Sequence, residues 1–160
     1  MTDSTAKYDI IDEAFINTSP DVVWQALIAE LGGARRWWVP TNTFEAGAIP
    51  ADHVGAEVHV TVHTKGVDKG GPKLKFTSRT TAVVPGRRLT TEYIDGAFRG
   101  IGDFILEELD GGKRTKFSMH FKGDPQGVLK VLSKVKDLGE AHSQGTLGAF
   151  ANLNALVGSR

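Results

Sequence analysis

The sequence predicts a single α+β domain in which a long C-terminal helix lies across a curved antiparallel sheet of about six or seven strands. Three observations carry this. Between residues 58 and 123, apolar and polar residues alternate with a period of two, in runs broken by Gly- and Pro-containing turns. Those turns are too short for crossover helices, so consecutive strands form an antiparallel meander. From residue 126 onward the apolar residues recur every three to four positions instead.

Residues Tyr8–Ile16 read as the first strand. Ser19-Pro20-Asp21 then opens a helix. Ser19 suits the cap, Pro20 the first helical position, and Asp21 the positive end of the dipole. Val23, Leu27, Ile28 and Leu31 follow at helical spacing with Trp24 on the flank, and Gly32-Gly33 ends the run. A short segment over 34–39 carries Trp37 and Trp38 and stops before Pro40, so one or two short helices are expected after the first strand. Val58, Val60 and Val62 alternate with His59, Thr61 and His63 in the next strand. Residues 69–72 form a hairpin tip, and strands are predicted over 74–84, 89–94, Phe98–Leu109 and 115–121. Residues 126–138 read as an amphipathic helix, with lysines between Val128, Leu129, Val131, Leu132, Val135 and Leu138. After Gly139, Leu147, Phe150, Leu153 and Val157 mark one stripe of a further helical stretch.

A chain of 160 residues makes about one domain, so residues 1–160 are taken as one unit. Lys+Arg and Asp+Glu each number 19, and the formal net charge is zero, which argues against a nucleic-acid partner. With no cysteine, disulfides, thiolate metal sites and a cysteine nucleophile are excluded. The opening MTDSTAKYDIIDEAF has no basic n-region followed by an apolar core, and no apolar run reaches the ~20 residues of a membrane span. A cytoplasmic location, no stable membrane insertion, and a monomer or homodimer are the expectations.

The chemical motifs are few. His59 and His63 stand four apart on a strand, about 13 Å, too far to share an ion, and His120 opposes Phe117, Met119 and Phe121 in parity. No metal or cofactor is expected. Asp12-Glu13 and Glu107-Glu108 are adjacent strand residues facing opposite ways, so neither pair converges, and a solvated position is expected for each. Gly100-Ile101-Gly102 lacks the third glycine and the helix of a dinucleotide loop, and marks a bend or a close approach. No Gly-x-Ser-x-Gly elbow is present. Lys65, Lys69, Lys73 and Lys75 cluster round one hairpin and read as a solvated edge.

What remains is apolar lining. Trp37, Trp38, Val60, Val62, Phe76, Tyr93, Phe104, Phe117, Met119 and Phe150 are the candidates to face the space between sheet and helix. One helix does not fill the concavity of a twisted sheet, so interior space is expected. Gly145, Gly148, Ala149 and Ala151 on the last helix, and Thr91, Gly102 and Thr115 on strands, add to that expectation.

INTSPDVVWQAL, with Ile16, Thr18, Pro20, Val23 and Trp24, resembles the opening of the START-like, or SRPBCC, superfamily. ARRWWVP, VVPGRRLTTEY, DFILEELDGGKRTKFSM and the final helix fit the same plan, so the resemblance spans nearly the whole chain. Within the superfamily the chain is most similar to polyketide cyclase/dehydrase-type members, then to the heat-shock-chaperone-activator-like group. The resemblance implies a helix-grip fold with an interior pocket for lipids, polyketides or similar apolar molecules. The iron-binding Rieske-type branch is set aside, because the chain lacks its His and carboxylate cluster.

Three functions follow as expectations. The first is binding of an apolar or aromatic, lipid- or polyketide-like small molecule. The second is a polyketide cyclase or dehydratase in which Tyr93 donates a proton and Arg99 partners an anion, if a bulge turns Arg99 inward. The third is a chaperone-activator-like or stress-related module binding another protein through 126–138, a segment that equally suits a lid or a core cover.

Overall fold

The computed structural model describes residues 6–135 and 137–158. Strand β1 (Tyr8–Ile16) runs into helix α1 (Pro20–Leu31), and strands β2 (Asn42–Ala46), β3 (Glu57–His63), β4 (Lys73–Val84), β5 (Arg88–Gly96), β6 (Phe98–Leu109) and β7 (Arg114–Pro125) follow. Helices α2 (Val128–Leu132) and α3 (Leu138–Val157) complete the chain. The strands form one curled antiparallel sheet in the order β1-β7-β6-β5-β4-β3-β2. Each neighbour along β2 to β7 is joined by a local connection, and β1 closes the far edge by pairing Tyr8 with Gly123 and Ile16 with Thr115.

The α1 boundaries follow from their residues. Ser19 is extended and its hydroxyl accepts the Val22 N–H, Pro20 starts the helix, and Gly32 closes it by donating to Ile28 and Ala29 carbonyls. The helix buries Pro20, Val23, Trp24, Leu27, Glu30 and Leu31. Along β1 the inward residues are Tyr8, Ile10, Asp12, Ala14 and Ile16, as the period of two requires. Phe117, Met119 and Phe121 on β7 continue that face, and α3 covers it with Thr146, Ala149, Phe150 and Leu153.

Several expectations are corrected here. Of the one or two short helices expected after β1, α1 alone forms before β2: residues 36–38 are bends, their N–H groups bonding to the Glu30 side chain rather than to backbone carbonyls. The segment 126–138 is not one helix either. Among the described residues before Leu138, α2 is the helical part, and Asp137 starts α3 by accepting the Glu140 N–H at 3.0 Å. That cap requires Asp137 to be extended, so a helix cannot run through it. Gly139 does not separate two helical stretches. It lies inside α3, where a Cβ would stand 2.9 Å from Ile10 Cδ1, and its lack of a side chain lets the helix approach β1. Leu147 points outward at 43% exposure, leaving Thr146, Ala149, Phe150 and Leu153 as the buried stripe.

Candidate functional site

The site begins with a carboxylate that the sequence did not single out. Glu30, in the last turn of α1, is 1% exposed and accepts the N–H groups of Arg36 (2.8 Å), Trp37 (3.2 Å) and Trp38 (2.8 Å). It acts as a nest for the tryptophan loop, satisfying three donors that a buried loop would otherwise leave unpaired. The Trp37 indole N–H donates to the Ala26 carbonyl, and Asn152 on α3 donates to the Trp37 carbonyl. An acidic residue within an apolar helical stripe was the available signal: Glu30 follows Val23 and Leu27 at helical spacing.

Held this way, both tryptophans enter the interior. Trp38 meets Phe44, Phe104 and Phe150 edge-on at 5.4–6.1 Å between ring centroids, and Trp37 meets Phe117 at 6.3 Å. Phe117 and Phe150 lie 4.5 Å apart across the sheet–helix gap. Val60 and Met119 belong to the same buried cluster. A second cluster joins Tyr8, Tyr93, Phe98, Phe121 and Leu129. Phe76, partly buried, packs against both clusters. Of the ten expected lining residues, Val62 and Phe76 are partly buried and the other eight are buried.

Around Trp38, Phe117 and Phe150 these rings meet one another between the sheet and α3. Ala149 is the only one of the four small α3 residues named above that is buried; Gly148 and Ala151 face outward and Gly145 lies near Thr41. Two hollows open elsewhere. One, of about 390 Å³, is lined by Gly32, Gly33, Arg35, Thr43, Glu45 and His59 among others; the other, of about 310 Å³, by Lys7, Asp124, Lys130 and Ser133 among others.

Tyr93 is 5% exposed, and its hydroxyl lies where a Cβ on Gly102 would stand, 2.3 Å away. Gly102 thus makes room for the phenol. Gly100 serves a different approach: with φ +147, its Cβ would stand 1.9 Å from the Lys122 carbonyl of β7. Burial pushes the Tyr93 hydroxyl above the ordinary phenol range, which keeps it protonated. Arg99 is exposed, and β6 pairs with β5 and β7 without a register shift, so no bulge turns it to the Tyr93 face.

A polar group at the helix–sheet seam completes the site. Asp12 is 7% exposed on the inner face of β1, against the solvated position expected for it, because it shares parity with Tyr8 and Ile16. Its Oδ2 accepts the Ser143 hydroxyl at 3.1 Å and stands 3.8 Å from His142 Nδ1. The His142 imidazole lies flat on Phe121, centroids 4.3 Å apart and planes 16° from parallel. His142 first, with Ser143 adding, holds the Asp12 carboxyl below the ordinary range against the opposing effect of burial. The signals in the sequence were strand parity for Asp12 and, for His142 and Ser143, a place two helical turns before Ala149 and Phe150.

The other histidines lie on the outer face or its loops. His59 bonds Thr77, His63 Nε2 bonds Thr43, and His120 pairs with Asp9. Among the described residues no three His, Asp or Glu side chains converge as a metal site, and no helix is long and apolar enough to cross a membrane. Segment 126–137 offers Leu129 to the second cluster while Val128, Val131 and Val135 stay exposed.

A curled antiparallel sheet whose aromatic inner face is gripped by a C-terminal helix defines the helix-grip class. The family described as polyketide cyclase / dehydrase and lipid transport matches residues 9–153, and the chain belongs to it. Solved structures agree on the fold. A Thermus thermophilus protein superposes with a TM-score of 0.68 at 14% identity, covering 92% of this chain and 95% of its own. The major latex-like protein 151 of Panax ginseng gives 0.67 at 12%, over 92% and 95%. The Zhui aromatase/cyclase of a Streptomyces species gives 0.60 at 19%, over 95% and 99%. A comparison with curated proteins finds no match.

Proposed function

We propose that this protein binds an apolar or aromatic small molecule, lipid- or polyketide-like, between the inner face of the sheet and α3. The observation that carries the reading is the pair of aromatic clusters joined through Phe76, the second of which includes Leu129 of α2. Aromatic rings supply large desolvated area and stacking faces, while the few polar groups among them orient a guest. The family's description, which names lipid transport, supports the same direction. Because Phe117 and Phe150 already touch, entry requires outward movement, and α2, held to the second cluster by Leu129, is the natural gate.

Incubation of the purified protein with anthracene, 2-methylnaphthalene and palmitate, read by native mass spectrometry and thermal unfolding, tests this. A bound guest at 100 times its Kd adds about 2.7 kcal/mol of stability. A folded protein that takes up none of the three and shows no thermal shift would refute the reading.

A second reading, turnover of a polyketide-like substrate, draws on Tyr93 and on the fold shared with an aromatase/cyclase. A buried phenol kept protonated can donate a hydrogen bond that polarises a substrate carbonyl. Arg99, on the outer face, has no part in it. Unchanged turnover of an identified substrate in Tyr93→Phe would remove the tyrosine from that role.

A further inference from the structure

Packing alone does not account for the Asp12–His142 pair. A carboxylate 7% exposed at an apolar seam costs several kcal/mol unless its partners hold it. Ser143 provides one hydrogen bond, but His142 Nδ1, at 3.8 Å from Asp12 Oδ2, is farther away than a hydrogen bond allows. Nδ1 is buried without a hydrogen-bond partner. The side chain nonetheless keeps 22% exposure, so the accessible part of the ring lies away from Nδ1. Among the described residues no hydrogen bond reaches Nε2, and the ring rests on Phe121, within the cluster that Leu129 closes.

The protonation pattern follows from these contacts. An ionised carboxylate only accepts, so the nitrogen turned toward Asp12 is the one that carries hydrogen in the neutral imidazole. Nε2 is then left as a lone-pair acceptor at the edge of an aromatic floor. Such an acceptor selects O–H donors over ethers, ketones and hydrocarbons of the same shape. We propose that His142 Nε2 is the recognition point for a phenolic or enolic hydroxyl of an aromatic guest, with Asp12 as the positioning residue that fixes the imidazole tautomer. This rests on the interior binding site proposed above and adds the chemistry of its guest.

The test compares 2-naphthol with 2-methylnaphthalene, which keeps the shape and replaces O–H by a methyl group. One neutral hydrogen bond predicts that the wild type binds 2-naphthol about three- to tenfold more tightly. His142→Phe, which retains a ring to stack on Phe121, is expected to bring the ratio of the two affinities to about one. Nitrogen NMR of the wild type supplies a readout independent of the variants: His142 protonated on Nδ1, with the Nε2 resonance moving when 2-naphthol is added. In Asp12→Asn the Nδ1-protonated population is expected to fall and the 2-naphthol preference with it. Equal binding of the two probes, a preference that survives His142→Phe, or an imidazole protonated on Nε2 alone would overturn this inference and leave the interior site standing. Failure of both probes to bind the folded wild type would overturn the two together.

Discussion

At the scale of single residues, two buried carboxylates shape the interior in different ways. Glu30 accepts three backbone N–H groups, two of the bonds buried and one partly buried, and a hydrogen bond to a charged acceptor is worth about 1.5–3 kcal/mol. Glu30→Ala is expected to lower the unfolding free energy by about 3 kcal/mol or more, measured by urea denaturation, and to raise tryptophan solvent exposure in fluorescence. Asp12 acts through pH. Its folded carboxyl titrates below the unfolded value of 3.8, so its contribution is fully present above that value and lost as pH falls through the lower, folded one. Acid unfolding of Asp12→Asn should therefore show a shallower loss of stability below about pH 4 than the wild type. An equally steep acid limb in both proteins would count against the native contact with His142.

Among the elements, α2 combines one buried apolar residue with an apolar outer side. Val128 is 87% exposed and Val135 85%, whereas Leu129 is 6%. Replacing Val128 and Val135 by Ser should change stability by no more than about 0.5 kcal/mol each. Leu129→Ala should cost about 2–3 kcal/mol and speed the uptake of 2-methylnaphthalene in stopped-flow fluorescence. The sequence made some of this legible and hid the rest for identifiable reasons. β1, α1 and β6 were readable to the residue because caps, parity and turns are local signals. The 126–138 pattern looked helical because Val and Leu recur at helical spacing, yet the Asp137 cap, which competes with helix continuation, decided the outcome. The aromatic lining could be read from parity. The Asp12–His142 contact joins positions 130 residues apart and needs the β1–β7 pairing, which no local pattern specifies.

For the whole molecule, the sheet and α3 form one enclosure, and a guest that binds only the closed state stabilises all of it. Wild type saturated with a guest should unfold at a higher temperature, and hydrogen exchange should slow across β1, β7 and α3 together rather than at the binding residues alone. Protection confined to one hairpin would mean that the guest sits on the surface.

The pairing of the first strand with the last also orders events during synthesis. β1 and α1 leave the ribosome first, but the partner of Ile10 is Phe121, and Ile16 waits for Thr115. The β2–β7 meander can assemble from neighbours, while β1 stays without its strand partner for about a hundred residues. Its outward Ile11 and Phe15 remain exposed even in the finished fold, so a nascent chain halted before β7 presents an apolar strand with both edges free. Chaperone capture and aggregation of the nascent chain should be greatest in that interval, ending when the last strand emerges.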